Sequence, residues 1–305
     1  MSQADKQHSR RRKRSADQEH EVWNAGQLQR RRELSQNFLK HDKTARKIVR
    51  EAGVTGKDLV VEIGAGSGML TRPLAKTARK VVAVEYDPDW SSYLKQSFAA
   101  TENVEVVAAY ALPAPLPEEP FRVVASLPFH ISTSILHRLL DDPAKPLEQL
   151  HLVLQKEVAN KHASAAPTTL KTLTWSPWWH FEAGYVVPAN AFDPKPGVDG
   201  RLLVAMKREP PLVAYEYRES FRAFVREAFD GRGNAVGKAL RPFFTRRQIR
   251  RLAHDNVFST DARPSQLTVH QWSAVFEFMV RAVPQNRWPR SRARARDRAG
   301  LEGGG

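Results

Sequence analysis

Three groups of residues in this 305-residue chain have the types and spacing to do chemistry. The first is Glu62-Ile63-Gly64-Ala65-Gly66-Ser67-Gly68, a glycine-rich turn directly after the apolar run Leu59 to Ile63. Glycines there permit a tight turn and a close approach of ligand to backbone, and the helix that follows offers free N–H groups. The second is Glu85, about 20 residues further on, at the end of the next apolar run, where a carboxylate can accept from ribose hydroxyls. Alone, each is an ordinary turn or a surface acid. Paired, they point to a ribose-bearing cofactor. The G-x-G-x-G spacing, in place of G-x-G-x-x-G, disfavours a nicotinamide dinucleotide, although both it and S-adenosylmethionine satisfy the pairing.

The third group, Ser126-Leu127-Pro128-Phe129, separates the two. It follows another apolar run and so falls beside the crevice where open α/β sheets bind ligands. An adenine amino nitrogen is a poor nucleophile because its lone pair is delocalised into the ring. Acceptors for its two hydrogens help to localise that pair as a methyl group approaches in line. The Ser126 hydroxyl and a backbone carbonyl at Ser126 or Leu127 fit that role, Pro128 fixes the turn, and Phe129 can stack on an extruded base. No strong base is needed, because the proton can leave once the nitrogen is cationic.

These groups need strands that end together. Leu59 to Ile63, Val81 to Glu85, Val104 to Ala108, Phe121 to Ala125 and Leu150 to Leu154 read as buried strands. Helices are predicted near Gly68 to Thr77, Pro88 to Ala99 and Ser132 to Leu140, and a further one over Leu34 to Ala52 with Phe38, Ala45, Ile48 and Val49 as its stripe. This alternation implies an α/β fold, a doubly wound and mostly parallel sheet. Thr174 to Val187 and Leu202 to Met206 are candidates to finish the sheet, while Phe192 to Gly197 is too proline-rich for helix or strand. After about Pro211 only helices are expected. One carries Phe221, Phe224, Val225, Ala228 and Phe229 and stops at Gly231. Another opens on a capping box at Thr268 and Gln271 and carries Trp272, Val275, Phe276, Met279 and Val280. These stripes read as core, leaving Lys238, Arg241, Arg246, Arg247, Arg250 and Arg251 for an outer face.

Composition narrows the partners. A net charge of +15 favours a polyanion such as nucleic acid. Basic clusters lie at Arg10 to Arg14 and Arg30 to Arg32, and again from Arg287 through Arg298, in segments that read as disordered tails. With no cysteine there is no disulfide or thiolate metal site, and no metal is expected. No apolar run is long enough for a membrane span, so a cytoplasmic monomer without membrane contact is the expectation.

Ser35-Gln36-Asn37-Phe38-Leu39, the Glu62 to Gly68 turn, Glu85 and Ser126-Leu127-Pro128-Phe129-His130-Ile131-Ser132-Thr133 together resemble the rRNA adenine N6-methyltransferase superfamily. Gln155 to Ala159 and Phe192 to Asp199 resemble both of its bacterial branches, the erythromycin-resistance (Erm) enzymes of 23S rRNA and the small-subunit rRNA adenine dimethylases. Trp175 to Glu182 and the basic tails resemble the actinobacterial Erm enzymes. The resemblance spans about Leu34 to Val283. It implies a seven-stranded Rossmann-like methyltransferase sheet with a small C-terminal all-helical domain. The implied organisation is a basic tail over 1–33, a cofactor-binding domain over 34–210, a helical RNA-binding domain over 211–283 and a second tail over 284–305.

The resemblance also assigns roles. S-adenosyl-L-methionine is the implied cofactor, contacted by Asn37, Leu39, Gly64, Gly66, Glu85, Tyr110 and Ser126, with Ser126, Leu127, Pro128 and Phe129 as the catalytic set. The implied substrate is 23S rRNA or a ribosome precursor, and the implied outcome is macrolide, lincosamide and streptogramin B resistance. Two departures stand out. Tyr110 falls where the family usually has an aspartate that accepts from the cofactor's adenine amino group, and Ser126 replaces the commoner asparagine. Loss of one such hydrogen bond costs about 0.5–1.5 kcal/mol, which weakens binding without abolishing it. The alternatives left open are a small-subunit dimethylase and a catalytically weakened RNA-binding protein on the same fold.

Overall fold

β2 (Leu59–Ile63) is buried along its whole length, as a parallel strand covered on both faces must be. It lies at the centre of a seven-stranded sheet in a computed structural model that describes residues 37–164, 166, 169–230 and 235–289. On one side of β2 stand β3 (Lys80–Glu85) and β4 (Val104–Ala108), and on the other β5 (Phe121–Ser126) and β6 (Leu147–Gln155), all parallel. β9 (Gly200–Lys207) pairs antiparallel with β6, and β7 (Trp179–Val187) closes the edge antiparallel to β9. The order is β4-β3-β2-β5-β6-β9-β7. A separate two-stranded sheet joins β1 (Phe38–Leu39) to β8 (Phe192–Asp193).

Helices cover both faces, which makes the sheet doubly wound. On one face α1 (Asp42–Glu51) and α2 (Thr71–Ala75) bury Ala45, Ile48, Val49 and Leu74 in one cluster with Val60, Val81 and Val124. On the other, α4 (Ser132–Leu140) buries Ile135, Leu136, Leu139 and Leu140 with Val61 and Val123. The intervening α3 (Pro88–Ser97) contributes Leu94 to a small cluster with Ala65, Ala83 and Phe98. The chain then adds α5 (Lys156–His162) and α6 (Leu170–Trp175) before β7, and a helical run follows β9.

That run comprises α7 (Arg218–Asp230), α8 (Val236–Ala239), α9 (Arg246–Asp255) and α10 (Val269–Ala282). Phe221, Phe224, Val225, Ala228, Trp272, Val275, Phe276 and Met279 are buried as expected of core, in the same cluster as the strands β5 and β6. Thr268 and Gln271 form the expected capping box. Lys238, Arg241, Arg246, Arg247, Arg250 and Arg251 are exposed.

Four expectations need correction. Phe38 is not helical: the helix starts at Asp42, and Phe38–Leu39 pair as a strand with Phe192–Asp193, a contact distant in sequence that local periodicity cannot reveal. By the same pairing, the proline-rich segment does supply a short strand. Thr174 and Trp175 end α6 and the strand begins only at Trp179, because Pro177 in the Trp175-Ser176-Pro177-Trp178 turn supplies no N–H for the ladder. Finally, the C-terminal segment assigned to a tail begins with a 3-10 turn, Gln285–Arg287. The Trp288 ring behind it lies 6.0 Å from that of Tyr217, and its N–H donates to the Val283 carbonyl at 2.8 Å. Ser35, Gln36, Gly231, the clusters Arg10 to Arg14 and Arg30 to Arg32, and Arg290 to Arg298 lie outside the described residues.

Candidate active site

Register brings the three groups level. Ile63 pairs with Val84, so Gly64 follows beside Glu85. Val61 pairs with Val123, and three residues further on Ser126 falls beside Gly64. All three stand at the carboxyl edge, where β3 and β5 diverge to opposite sides of β2, which is the ligand-binding position of open α/β sheets.

The glycine turn is built around Glu85. Gly64 and Gly66 have φ of +72° and +52°, left-handed values that side chains resist. A Cβ on Gly66 would stand 2.4 Å from Cε1 of Phe38, whereas one on Gly64 would meet nothing within 4 Å. Thus Phe38 roofs the turn, held by its tilted contact with the buried Trp90 at 5.2 Å. The Gly66 N–H donates to Glu85 Oε2 at 2.8 Å and the Asp87 N–H to Oε1 at 2.9 Å. Burial pushes the Glu85 carboxyl up, and these backbone donors pull it back. The Tyr86 N–H is a third backbone donor to this carboxylate.

A second buried acid supports the turn from below. Glu62 receives the Thr71 hydroxyl at 2.6 Å, tying β2 to the first residue of α2. Burial pushes its carboxyl up to about 8, so it is largely neutral at pH 7. Asp87 caps α3, accepting from the N–H groups of Asp89 and Trp90.

At the third strand end, Leu127 is buried while Ser126, Pro128 and Phe129 are half-buried. Pro128 opens a 3-10 turn, Phe129–Ile131, and its carbonyl accepts from the Ile131 N–H at 3.2 Å and the Ser132 hydroxyl at 3.4 Å. Among the described residues the Ser126 hydroxyl has no hydrogen-bond partner.

Tyr110 lies two residues beyond the end of β4, 67% exposed, its ring stacked on that of Tyr86, the neighbour of Glu85. Leu39 is a buried core side chain, which leaves its backbone for ligand contact. Asn37 immediately precedes β1 in the chain. The structure therefore brings Gly64, Gly66, Glu85 and Ser126 to one edge and sets Tyr110 at its β4 end. Sequence reasoning passed over Phe38 as a roof, Thr71, and Tyr86. An aromatic residue directly after the ribose acid was the available signal for the last. No described helix is long and apolar enough to cross a membrane, and the described residues contain no cluster of three or more metal-ligating side chains.

An open backbone turn, a buried acid at the strand end and an aromatic face fit the ribose and base of an adenosine-bearing cofactor. The family model for ribosomal RNA adenine dimethylase matches residues 27–280. The chain belongs to that family, in its Erm-type branch. It is 38% identical over 211 residues to an rRNA adenine N-6-methyltransferase of Corynebacterium diphtheriae, covering 69% of this chain and 82% of the relative. To the mycinamicin-resistance protein MyrB of Micromonospora griseorubida it is 32% identical, covering 86% and 84%. Among solved structures, the 23S rRNA methyltransferase ErmE superposes with a TM-score of 0.73 at 29% identity, covering 80% of this chain and all of ErmE. This Erm-type family member is thus an rRNA adenine N6-methyltransferase, of a family that depends on S-adenosylmethionine.

The Trp-rich segment of this Erm-type chain is architectural. Trp175, Trp178 and Trp179 are fully buried. The Trp175 N–H donates to Asp141 Oδ1 and the Trp178 N–H to the Val213 carbonyl, each at 2.7 Å. Trp178 meets Phe221 edge-on at 5.9 Å, which couples the sheet edge to α7.

Proposed function

We propose that this chain methylates N6 of an adenine in 23S rRNA, and that the modification confers resistance to macrolide, lincosamide and streptogramin B antibiotics. The observation that carries the reading is the level alignment of Gly64, Glu85 and Ser126 on three adjacent strands, with the Ser126 hydroxyl free. The full-length likeness to ErmE supports 23S as the target.

When bound, S-adenosylmethionine supplies an electrophilic methyl group on its sulfonium. Glu85 would accept from its ribose hydroxyls, the backbone of Gly64 and Gly66 would hold it, and Asn37 and Leu39 would contact it from the segment before β2. Tyr110 borders its base. The Ser126 oxygen and a carbonyl at Ser126 or Leu127 accept the two hydrogens of the target amine, which localises its lone pair. Pro128 holds that geometry and Phe129 stacks on the extruded adenine. The amine nitrogen would gain the methyl group as the sulfonium S–CH3 bond breaks to leave the neutral thioether, and its surplus proton would pass to water.

Residues 34–210 form the cofactor-binding part and 211–283 the helical RNA-contacting part, with Lys238, Arg241, Arg246, Arg247, Arg250 and Arg251 on phosphates. The protein acts as a cytoplasmic monomer. Labelled methyl transfer to purified 23S and 16S rRNA tests the assignment. Label in 23S is expected. Label in 16S alone would make it a small-subunit dimethylase, and RNA binding without transfer would leave a weakened RNA-binding protein.

A further inference from the structure

α1 and α2 lie side by side on one face of the sheet, and a cleft of about 530 Å³ runs between them, away from the strand-end site. Its floor is apolar, from Val49, Val54 and Pro73. Its walls are cationic. Arg46 and Arg50 stand four residues apart on α1, and Arg72 and Lys76 stand four apart along α2 and its C-cap, all four exposed. Among the described residues one acid lines the cleft, Asp42, which pairs with Arg46. The formal charge is therefore +4 from the four cations and −1 from Asp42, or +3.

Like charges four apart on a helix repel, by a few tenths of a kcal/mol per pair, and here two such pairs face one another. A polyanion relieves that repulsion. Three of the four cations are arginines, whose planar fork suits phosphate oxygens. The volume suits a nucleotide-sized stretch of backbone better than a single ion. One cleft cation touches the glycine turn: Arg72 donates to the Ser67 carbonyl at 3.0 Å and to the Tyr93 hydroxyl at 3.0 Å.

We propose that this cleft binds the sugar-phosphate backbone of the substrate RNA, as a docking track separate from the base-binding pocket. The proposal rests on the rRNA methyltransferase reading above.

The test is the salt dependence of RNA binding, read by fluorescence anisotropy with a labelled rRNA stem-loop that the parent protein methylates. The double variant Arg50→Gln, Lys76→Gln removes two cleft cations and leaves Arg72 in place. Each lost phosphate contact should flatten the slope of log affinity against log salt by about 0.7–0.9, so a decrease of roughly 1.5 is expected. Affinity at low salt should fall at least fivefold. The control Lys57→Gln, Lys95→Gln removes the same charge from exposed positions outside the cleft and should leave the slope within 0.3 of the parent, about the scatter expected beside one 0.7–0.9 contact. Binding of S-adenosylhomocysteine should match the parent in both variants, which shows that each is folded. Equal slopes in the parent and the cleft variant would overturn the proposal, as would equal losses in the cleft and control variants. Inorganic phosphate that binds the parent without competing with the stem-loop would make this a free-anion site and would also overturn it. Failure of the parent to methylate any rRNA would instead defeat the reading on which the proposal rests.

Discussion

The ring of Tyr110 stacks on that of Tyr86, with centroids 5.1 Å apart and planes 20° from parallel. The two residues extend from the ends of neighbouring parallel strands, and Tyr86 directly follows the acid that organises the glycine turn. An aromatic face therefore stands beside the strand end that carries Glu85. The spacing leaves no room for a purine between the rings, so a base packs against the pair from outside.

In the proposed site the ring of Tyr110, and not its hydroxyl, would meet the cofactor's base. Tyr110→Phe should bind S-adenosylhomocysteine within twofold of the parent. Tyr110→Ala should bind roughly three- to tenfold more weakly, in line with about 0.5–1.5 kcal/mol for an aromatic pair. Calorimetry measures both. A Phe variant as weak as the Ala variant would show that the hydroxyl does the binding.

In the proposed site Glu85 would have two tasks, because its carboxylate already holds the Gly66 and Asp87 N–H groups. Glu85→Ala should weaken S-adenosylhomocysteine at least tenfold and lower stability by about 1–3 kcal/mol, the cost of orphaning buried donors. RNA affinity should stay within twofold. Cofactor affinity equal to that of the parent would remove Glu85 from the site.

The raised carboxyl of Glu62 couples stability to pH. Folding favours its neutral form, so this contribution is complete below about 4.5 and is lost as pH rises through about 8. Urea unfolding should show the parent losing roughly 2–4 kcal/mol between pH 5 and pH 8.5 from this source, an order-of-magnitude figure. Glu62→Gln keeps an acceptor for Thr71 and should flatten the profile. Parallel profiles for parent and variant would contradict the assignment.

Val257 follows the C-cap of α9 with φ of +52°, although it is β-branched and 84% exposed. The Phe258 N–H reaches the Ala253 carbonyl at 2.9 Å, a helix-ending bond that normally has glycine at this position. Val257→Gly should raise stability by roughly 1 kcal/mol, or about 2–4 °C in melting temperature, with methylation unaltered. A lower melting temperature would show that contacts of the valine outweigh its strain.

What could be read from sequence was local. The β-branched run of β2, the glycines after it and Glu85 at the end of β3 carry their own signals, as does the Thr268 cap. What could not be read depends on distant pairing. Phe38–Leu39 become a strand only because Phe192–Asp193 lie opposite, and without that pairing Phe38 looks like one more residue of a helical stripe. The level position of Ser126 beside Gly64 is set by strand register, which no motif spells out. The cleft between α1 and α2 was likewise invisible, because its cations are scattered in sequence and converge only when the helices pack.

In the proposed reaction the aligned strand ends methylate an adenine of 23S rRNA. Mass spectrometric mapping of rRNA tests it most directly, in otherwise identical cells carrying the gene, the Phe129→Ala variant or neither. The account predicts N6-methyladenine at a 23S position with the parent gene only, accompanied by macrolide resistance. Identical 23S modification in all three strains, or new methylation confined to 16S rRNA, would contradict it.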